Sequence, residues 1–230
     1  MVSCRVAKYP LLGSIIIAVI VLGCGKSDRR SGQTETAKAE QTAPFANREE
    51  ENKYIAELLR FRAEKDSFLR GSTDSPLRKE ERRTFQHLKY YDADPQFVVR
   101  ATLHRSENPP RFTITTTTGT TREAIKYGAL RFRLLGKSYQ LGVYKFTDKP
   151  KESRRDYLFV PFTDSTSGKE TYGAGRYIDL EENDSDEYIL DFNRAYNPYC
   201  AYNEDYSCPI PPRENRLSLT ITAGEKIYHD

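Results

Sequence analysis

LRFRLLGKSYQLGV, residues 130–143, decides the fold. Leu130, Phe132 and Leu134 alternate with Arg131 and Arg133, then a Gly136-Lys137-Ser138 turn intervenes, and Tyr139, Leu141 and Val143 resume the alternation. A period of two puts apolar side chains on one face of an extended chain and charged ones on the other, so the stretch reads as two antiparallel strands joined by a tight turn. The same period extends in both directions. Upstream, Phe97, Val99, Ala101 and Leu103 alternate with polar partners, and Phe112 and Ile114 alternate with threonines. Downstream, Tyr157 to Phe162 is continuously apolar, as in a strand buried on both faces. Arg176 opens another strand; Tyr188, Leu190 and Phe192 form a further one, and Leu217, Leu219 and Ile221 close the series. About eight strands with short connections and no intervening helices predict a mainly β domain, an antiparallel sandwich or barrel-like sheet.

Before the strands, Asn47 with Glu50 three residues later forms a capping-box pattern, and Tyr54, Leu58, Phe61 and Phe68 then fall on one helical stripe with Ile55 beside it. Gly71 marks its end. The apolar heptad stops at Arg62, so this is a helix docked on the sheet and not a coiled coil. Ser75-Pro76 reads as the cap and first residue of a short helix whose charges nearly cancel.

The first 46 residues have a different character. Arg5 and Lys8 precede an apolar run, Leu11 to Gly23, too short to span a bilayer comfortably. It ends Val21-Leu22-Gly23-Cys24, which resembles the lipobox of bacterial lipoproteins. That resemblance implies a signal peptide over 1–23, cleavage before Cys24 and acylation of Cys24, including palmitate-type chains; an uncleaved anchor or a plain secretory signal are the alternatives. Residues 24–46 then carry the lipid and a polar tether with a coil reach of roughly 25 Å, and residues 47–230 form a single domain. Localisation at the cell envelope, lipid-anchored on the extracytoplasmic face of a bacterial membrane, is the expectation. The formal net charge is +3, and two of the positive charges, Arg5 and Lys8, lie in the leader. With so small a balance, a nucleic-acid partner is not indicated.

Candidate functional residues concentrate in two polar segments. Asp164, Glu170, Tyr172 and Arg176 lie in one; Asp191, Asn193, Asn197, Glu214 and Asn215 lie in the other, a proline-, tyrosine- and asparagine-rich stretch too broken for a helix or central strand. Such carboxylates can serve as acid and base or hold a small polar ligand, and Arg176 can clamp an anion. The competing reading is a hydrogen-bond network that orders two long loops. Asp191 and Asn193 share a strand face, so the spacing predicts that Arg176, Glu170 and Asp191 meet in a cleft covered by residues 197–212. Cys200 and Cys208 form an isolated pair that reads most simply as a disulfide outside the cytoplasm, with buried thiols or a metal or catalytic cysteine as alternatives. No metal site is assigned and no cofactor is indicated. Asp164 to Thr171 is not a phosphate loop, because Thr163 stands where a first Gly is needed and Glu170 where Ser or Thr is needed. Gly173 and Gly175 lack the third glycine of a dinucleotide site, and no Gly-x-Ser-x-Gly elbow occurs.

PFTDSTSGKETYGAGRYIDL (161–180), LDFNRAYNPYCAYNEDYSCPIPPREN (190–215) and ITAGEK (221–226) resemble the domain-of-unknown-function 1684 family. Ser75-Pro76-Leu77, Tyr127-Gly128 with Leu130, and Leu158-Phe159 fit the same pattern, and the likeness spans Tyr54 to Lys226. The resemblance implies a prokaryotic family with many predicted lipoproteins, no assigned activity, and some cytoplasmic members that keep the paired cysteines. Three functions compete: a binding or envelope-associated module with a polar pocket, a carboxylate-based hydrolase, and a structural lipoprotein without a ligand.

Overall fold

The computed structural model describes residues 44–148 and 157–229. The signal, Cys24 and most of the tether lie outside the described residues. The described residues belong to one compact unit, Ala39–Asp230.

Helix α1 runs Arg48–Gly71, and Asn47 caps it by accepting the Glu50 amide at 3.0 Å while Glu50 accepts the Ala46 amide at 2.7 Å. The first contact satisfies one of the orphan donors at the helix start, and the second ties down the residue before the cap. Its buried residues are Leu58, Arg62 and Leu69, whereas Phe68 is exposed. The short helix α2 spans Lys79–Thr84 and starts after Arg78, not at Ser75. The Ser75 hydroxyl instead donates to the Leu69 carbonyl at 2.6 Å and accepts the Leu77 amide at 3.2 Å, tying the end of α1 to the segment that leads into α2.

Seven strands come next among the described residues: β1 Val98–Arg105, β2 Arg111–Thr115, β3 Thr121–Leu134, β4 Lys137–Phe146, β5 Tyr157–Phe162, β6 Arg176–Glu181 and β7 Glu187–Asp191. All pairings are antiparallel, in the order β6-β5-β4-β3-β1-β7, with β2 also paired to β3. The edge strands β6 and β7 approach each other, so the sheet is mainly β, barrel-like and nearly closed. The β3–β4 hairpin turns on Leu135 and Gly136, both at positive φ (48° and 77°), one residue earlier than the spacing predicts. Positive φ at both central positions is the turn type whose twist matches flanking strands. A bulge between Lys126 and Gly128 bends β3, and a Cβ at Gly128 would sit 2.5 Å from the His104 carbonyl oxygen, so only glycine fits there.

The expected last strand is not one. Residues 216–222 bend at 218–219, and their backbone partners are in the loop after β5: the Leu217 amide donates to Thr163 and Leu219 accepts from the Ser165 amide. Their side chains still enter the main core beside Leu130, Leu141, Leu158 and Val160. A second apolar cluster lies on the opposite, outer face of the sheet, where Ile114, Ala124, Tyr144, Phe159 and Tyr177 pack together. Strand β5 contributes Leu158 and Val160 to the main core and Phe159 to the outer cluster, which accounts for its unbroken apolar run.

Candidate functional site

The first polar segment is a buried joint. Arg176 opens β6 with no accessible surface, and its guanidinium donates to the carbonyls of Ala223, Ile221 (3.1 Å) and Glu225 (3.3 Å) and to Asp164 Oδ1 (3.4 Å). Asp164 also accepts the Thr166 hydroxyl (2.8 Å), the Ser167 hydroxyl (3.2 Å) and the Ile221 amide (2.8 Å). Burial pulls the Arg176 pKa below its ordinary value, and the Asp164 charge opposes that shift. Arg176 therefore fastens residues 221–225 to the sheet. Glu170 is exposed and accepts from the Tyr91 hydroxyl at 3.2 Å.

The second segment is used in the same way. Asp191 accepts both the Tyr54 hydroxyl of α1 (3.0 Å) and the Asn193 amide (2.9 Å), and pairs with Arg194 at 3.3 Å. Asn193 accepts the Asp94 amide and donates back to the Asp94 carbonyl. Asn197 donates to the Lys226 carbonyl at 2.8 Å. Asn215 accepts the Gly142 amide and donates to the carbonyls of Gly142 and Pro161, stitching β4 to β5. Glu214 accepts from Lys126 (2.5 Å) and from the Tyr144 hydroxyl. Arg176, Glu170 and Asp191 are each engaged by a side chain, Asp164, Tyr91 and Tyr54 respectively. The Asn and Asp side chains satisfy backbone groups that irregular chain leaves unpaired.

Glu225 is a further buried carboxylate that sequence reading missed. It accepts from Lys65 of α1 (2.5 Å), the Tyr202 hydroxyl (2.5 Å) and the Asn197 amide (2.8 Å). With Tyr54–Asp191, and with Arg62 donating to the Tyr91 carbonyl at 2.9 Å, it docks α1 on the barrel.

The Asn197–Pro212 loop does cover a concavity, but on the outer face of the sheet. Tyr196 exchanges backbone hydrogen bonds with Tyr177 of β6, and the Tyr177 hydroxyl donates to the Pro209 carbonyl, which carries the intervening chain across the strands. A cavity of about 640 Å³ results. Its floor is Phe146, Phe159 and Tyr177; the loop supplies Tyr199 and Tyr206, and Tyr196 just before it adds a third ring. Lys65, Phe68 and Leu69 of α1 form another wall. Two cations touch it, each already matched. Arg122 holds Asp148 through two hydrogen bonds (2.7 and 2.8 Å) and lies 3.7 Å over the Phe146 ring, and Lys65 holds Glu225 and lies 4.9 Å from the Tyr196 ring.

Asp179 is the third charge in the cavity. It stands opposite Phe159 in the β5–β6 pairing, on the face of Tyr177, and accepts the Tyr196 hydroxyl at 2.7 Å. Its side chain is exposed. Partial desolvation by the surrounding protein pushes its carboxyl above the usual range, against the pull of the Tyr196 hydrogen bond and the Lys65 charge.

Cys208 also borders the cavity. Where the sequence leads one to expect a disulfide, Cys200 and Cys208 are free thiols in contact: the Cys200 amide donates to Cys208 Sγ at 3.2 Å, and the Tyr172 hydroxyl donates to Cys200 Sγ at 3.5 Å. The loop is held here without a covalent link, because the Cys208 amide donates to the Thr117 hydroxyl and the Thr117 amide to the Cys208 carbonyl. Hydrogen bonds from the Cys208 thiol and Tyr172 lower the Cys200 pKa to about 6. No group of three or more metal-ligating side chains occurs among the described residues.

The model of the family described as "Protein of unknown function (DUF1684)" matches residues 83–226. The chain belongs to this family. Comparison with curated proteins gives no match. Among solved structures, the chain is similar to the solution NMR structure of an uncharacterised protein from Haloarcula marismortui, with 38% identity and a TM-score of 0.60. The alignment covers 77% of this chain and 96% of that one. The DUF1684 match includes all of β1–β7, both polar segments and Asp179.

Proposed function

We propose that this DUF1684 protein is a small-molecule binding module held at the extracytoplasmic face of a bacterial membrane by a lipid on Cys24. The observation that carries the binding reading is the cavity under the tyrosine- and proline-rich loop. At about 640 Å³ it falls within the range of small-ligand sites, and its lining is aromatic with a few convergent polar groups. The polar segments supply the scaffold, since their side chains are occupied in joining loops to strands. The anchor reading rests on the lipobox-like end of the leader. No helix among the described residues is long and apolar enough to cross a membrane.

Protein isolated from its native host and weighed under non-denaturing conditions is expected to carry a small-molecule adduct, and a metabolite library is expected to contain members that raise its melting temperature. A bare mass together with no stabilising compound would refute the binding reading. Cys24→Ser is expected to abolish incorporation of a clickable fatty acid; undiminished labelling would refute the anchor.

A further inference from the structure

We propose that the cavity takes a small organic cation, an ammonium ion bearing apolar substituents, with Asp179 as its counter-ion and the Tyr177 and Tyr196 rings as its walls. This rests on the cavity being the binding site and adds the ligand's charge and class.

Of the charges that line the cavity, Lys65 is neutralised by Glu225 and Arg122 by Asp148. Among the described residues Asp179 has no ion-pair partner within salt-bridge distance and one hydrogen bond, from Tyr196. Asp179 is therefore the one charged side chain of the lining without an ion pair among the described residues, the Lys65 charge reaching it only from beyond salt-bridge distance. A neutral ligand filling the cavity would strip water from Asp179 and offer nothing in return, and an anion would add repulsion. A cation replaces the lost hydration with an ion pair.

The rings point the same way. Aromatic faces are negative and attract cations, most strongly when both partners are withdrawn from water. This cavity already uses the effect twice, with Arg122 over Phe146 at 3.7 Å and Lys65 near Tyr196 at 4.9 Å. Tyr177 makes edge contacts with both Phe159 and Tyr196, at 4.7 and 5.7 Å between ring centres and 74° and 87° between ring planes, so differently oriented rings line the same cavity as Asp179. Apolar substituents on the ammonium match the remaining lining, Phe68, Tyr199 and Pro198.

The test uses three probes of similar size: phenyltrimethylammonium, its neutral isostere tert-butylbenzene, and benzenesulfonate. Calorimetric titration is expected to show the cation binding about tenfold or more tighter than the isostere, with the sulfonate weakest. Asp179→Asn keeps an oxygen for the Tyr196 hydroxyl and is expected to remove that preference, weakening the cation and strengthening tert-butylbenzene, whose entry no longer desolvates a charge; Asp179→Glu is expected to retain it. Equal affinities, a preference for the sulfonate, or an Asp179→Asn variant that keeps the cation preference would overturn the ligand class while leaving the cavity as a binding site. Failure of all three probes to bind would overturn the cation class, and the library screen would then decide whether the cavity binds anything.

Discussion

Asp164→Ala tests whether the first polar segment is scaffold or site. The substitution leaves the Arg176 guanidinium fully buried with three carbonyl acceptors and without its ion-pair partner, and it leaves the Ile221 amide without its acceptor. Breaking a buried ion pair from one side costs about 3–5 kcal/mol. An orphaned buried amide adds about 1–3 kcal/mol. Partial relaxation brings the sum toward the lower end, so a loss of about 4 kcal/mol is expected. For a domain of this size each kcal/mol corresponds to about 2–4 °C, which gives a fall in melting temperature of roughly 8–16 °C. The chain contains no tryptophan, so urea unfolding is best followed by far-ultraviolet circular dichroism, with the midpoint and slope fitted together. Asp164→Ala with Arg176→Met removes both charges and is expected to recover part of the loss, as a coupled pair should. A loss below about 1 kcal/mol for Asp164→Ala, or a double variant less stable than the single one by the full cost of Arg176→Met alone, would refute the joint.

Three further outcomes are expected from the same geometry. Glu170→Gln should change stability by no more than about 0.5 kcal/mol, because Glu170 is exposed and its described side-chain bond is to the Tyr91 hydroxyl; chemical denaturation of the two proteins side by side checks it. Cys200 should alkylate with iodoacetamide ahead of Cys208, with a rate that rises through about pH 6, and Tyr172→Phe should move that rise upward; an intact mass two units below the reduced value would show a disulfide instead. The raised Asp179 pKa means the folded state holds that proton more tightly than the unfolded chain, so the ionised carboxylate weakens the fold as pH climbs from the unfolded value through the folded one. Asp179→Asn should therefore match wild type at pH 3, and its relative stability should grow with pH until the folded carboxyl has ionised, as thermal melts across pH 3–7 would record.

The strands were legible because one face of each meets a core. Alternation at Leu130–Leu134 and Tyr139–Val143 is a direct consequence of the pleat, and the observed pairs Leu130↔Leu141 and Phe132↔Tyr139 agree with it. Residues 217–221 alternate for the same reason of burial, yet their backbone partners lie in the loop at 163–165, and side-chain period alone does not reveal where backbone hydrogen bonds go. The N-terminal helix was legible from its cap and stripe, but Arg62 inside the buried face was not, since its partner is a backbone carbonyl distant in sequence.

The site was less legible than the fold. Polar side chains attract attention in a sequence, and here Asp164, Arg176, Asn193 and Asn215 are polar because irregular backbone needs partners. The cavity is made of residues that read as ordinary strand interior, Phe146, Phe159 and Tyr177. One signal was present: β5 is apolar at every position, so something had to cover its second face, and the tyrosine-rich loop does so. Asp179, a single carboxylate on the Tyr177 face of β6, marked the place where that cover is incomplete.

The most direct test of the binding site is a nitrogen-15 NMR titration of residues 39–230 with phenyltrimethylammonium. Saturable shifts are expected at the amides of Phe159, Asp179, Tyr196 and Ser207, which surround the cavity. Shifts confined to Asp164, Glu170 and Asn193, with those four unmoved, would contradict a ligand site under the tyrosine-rich loop.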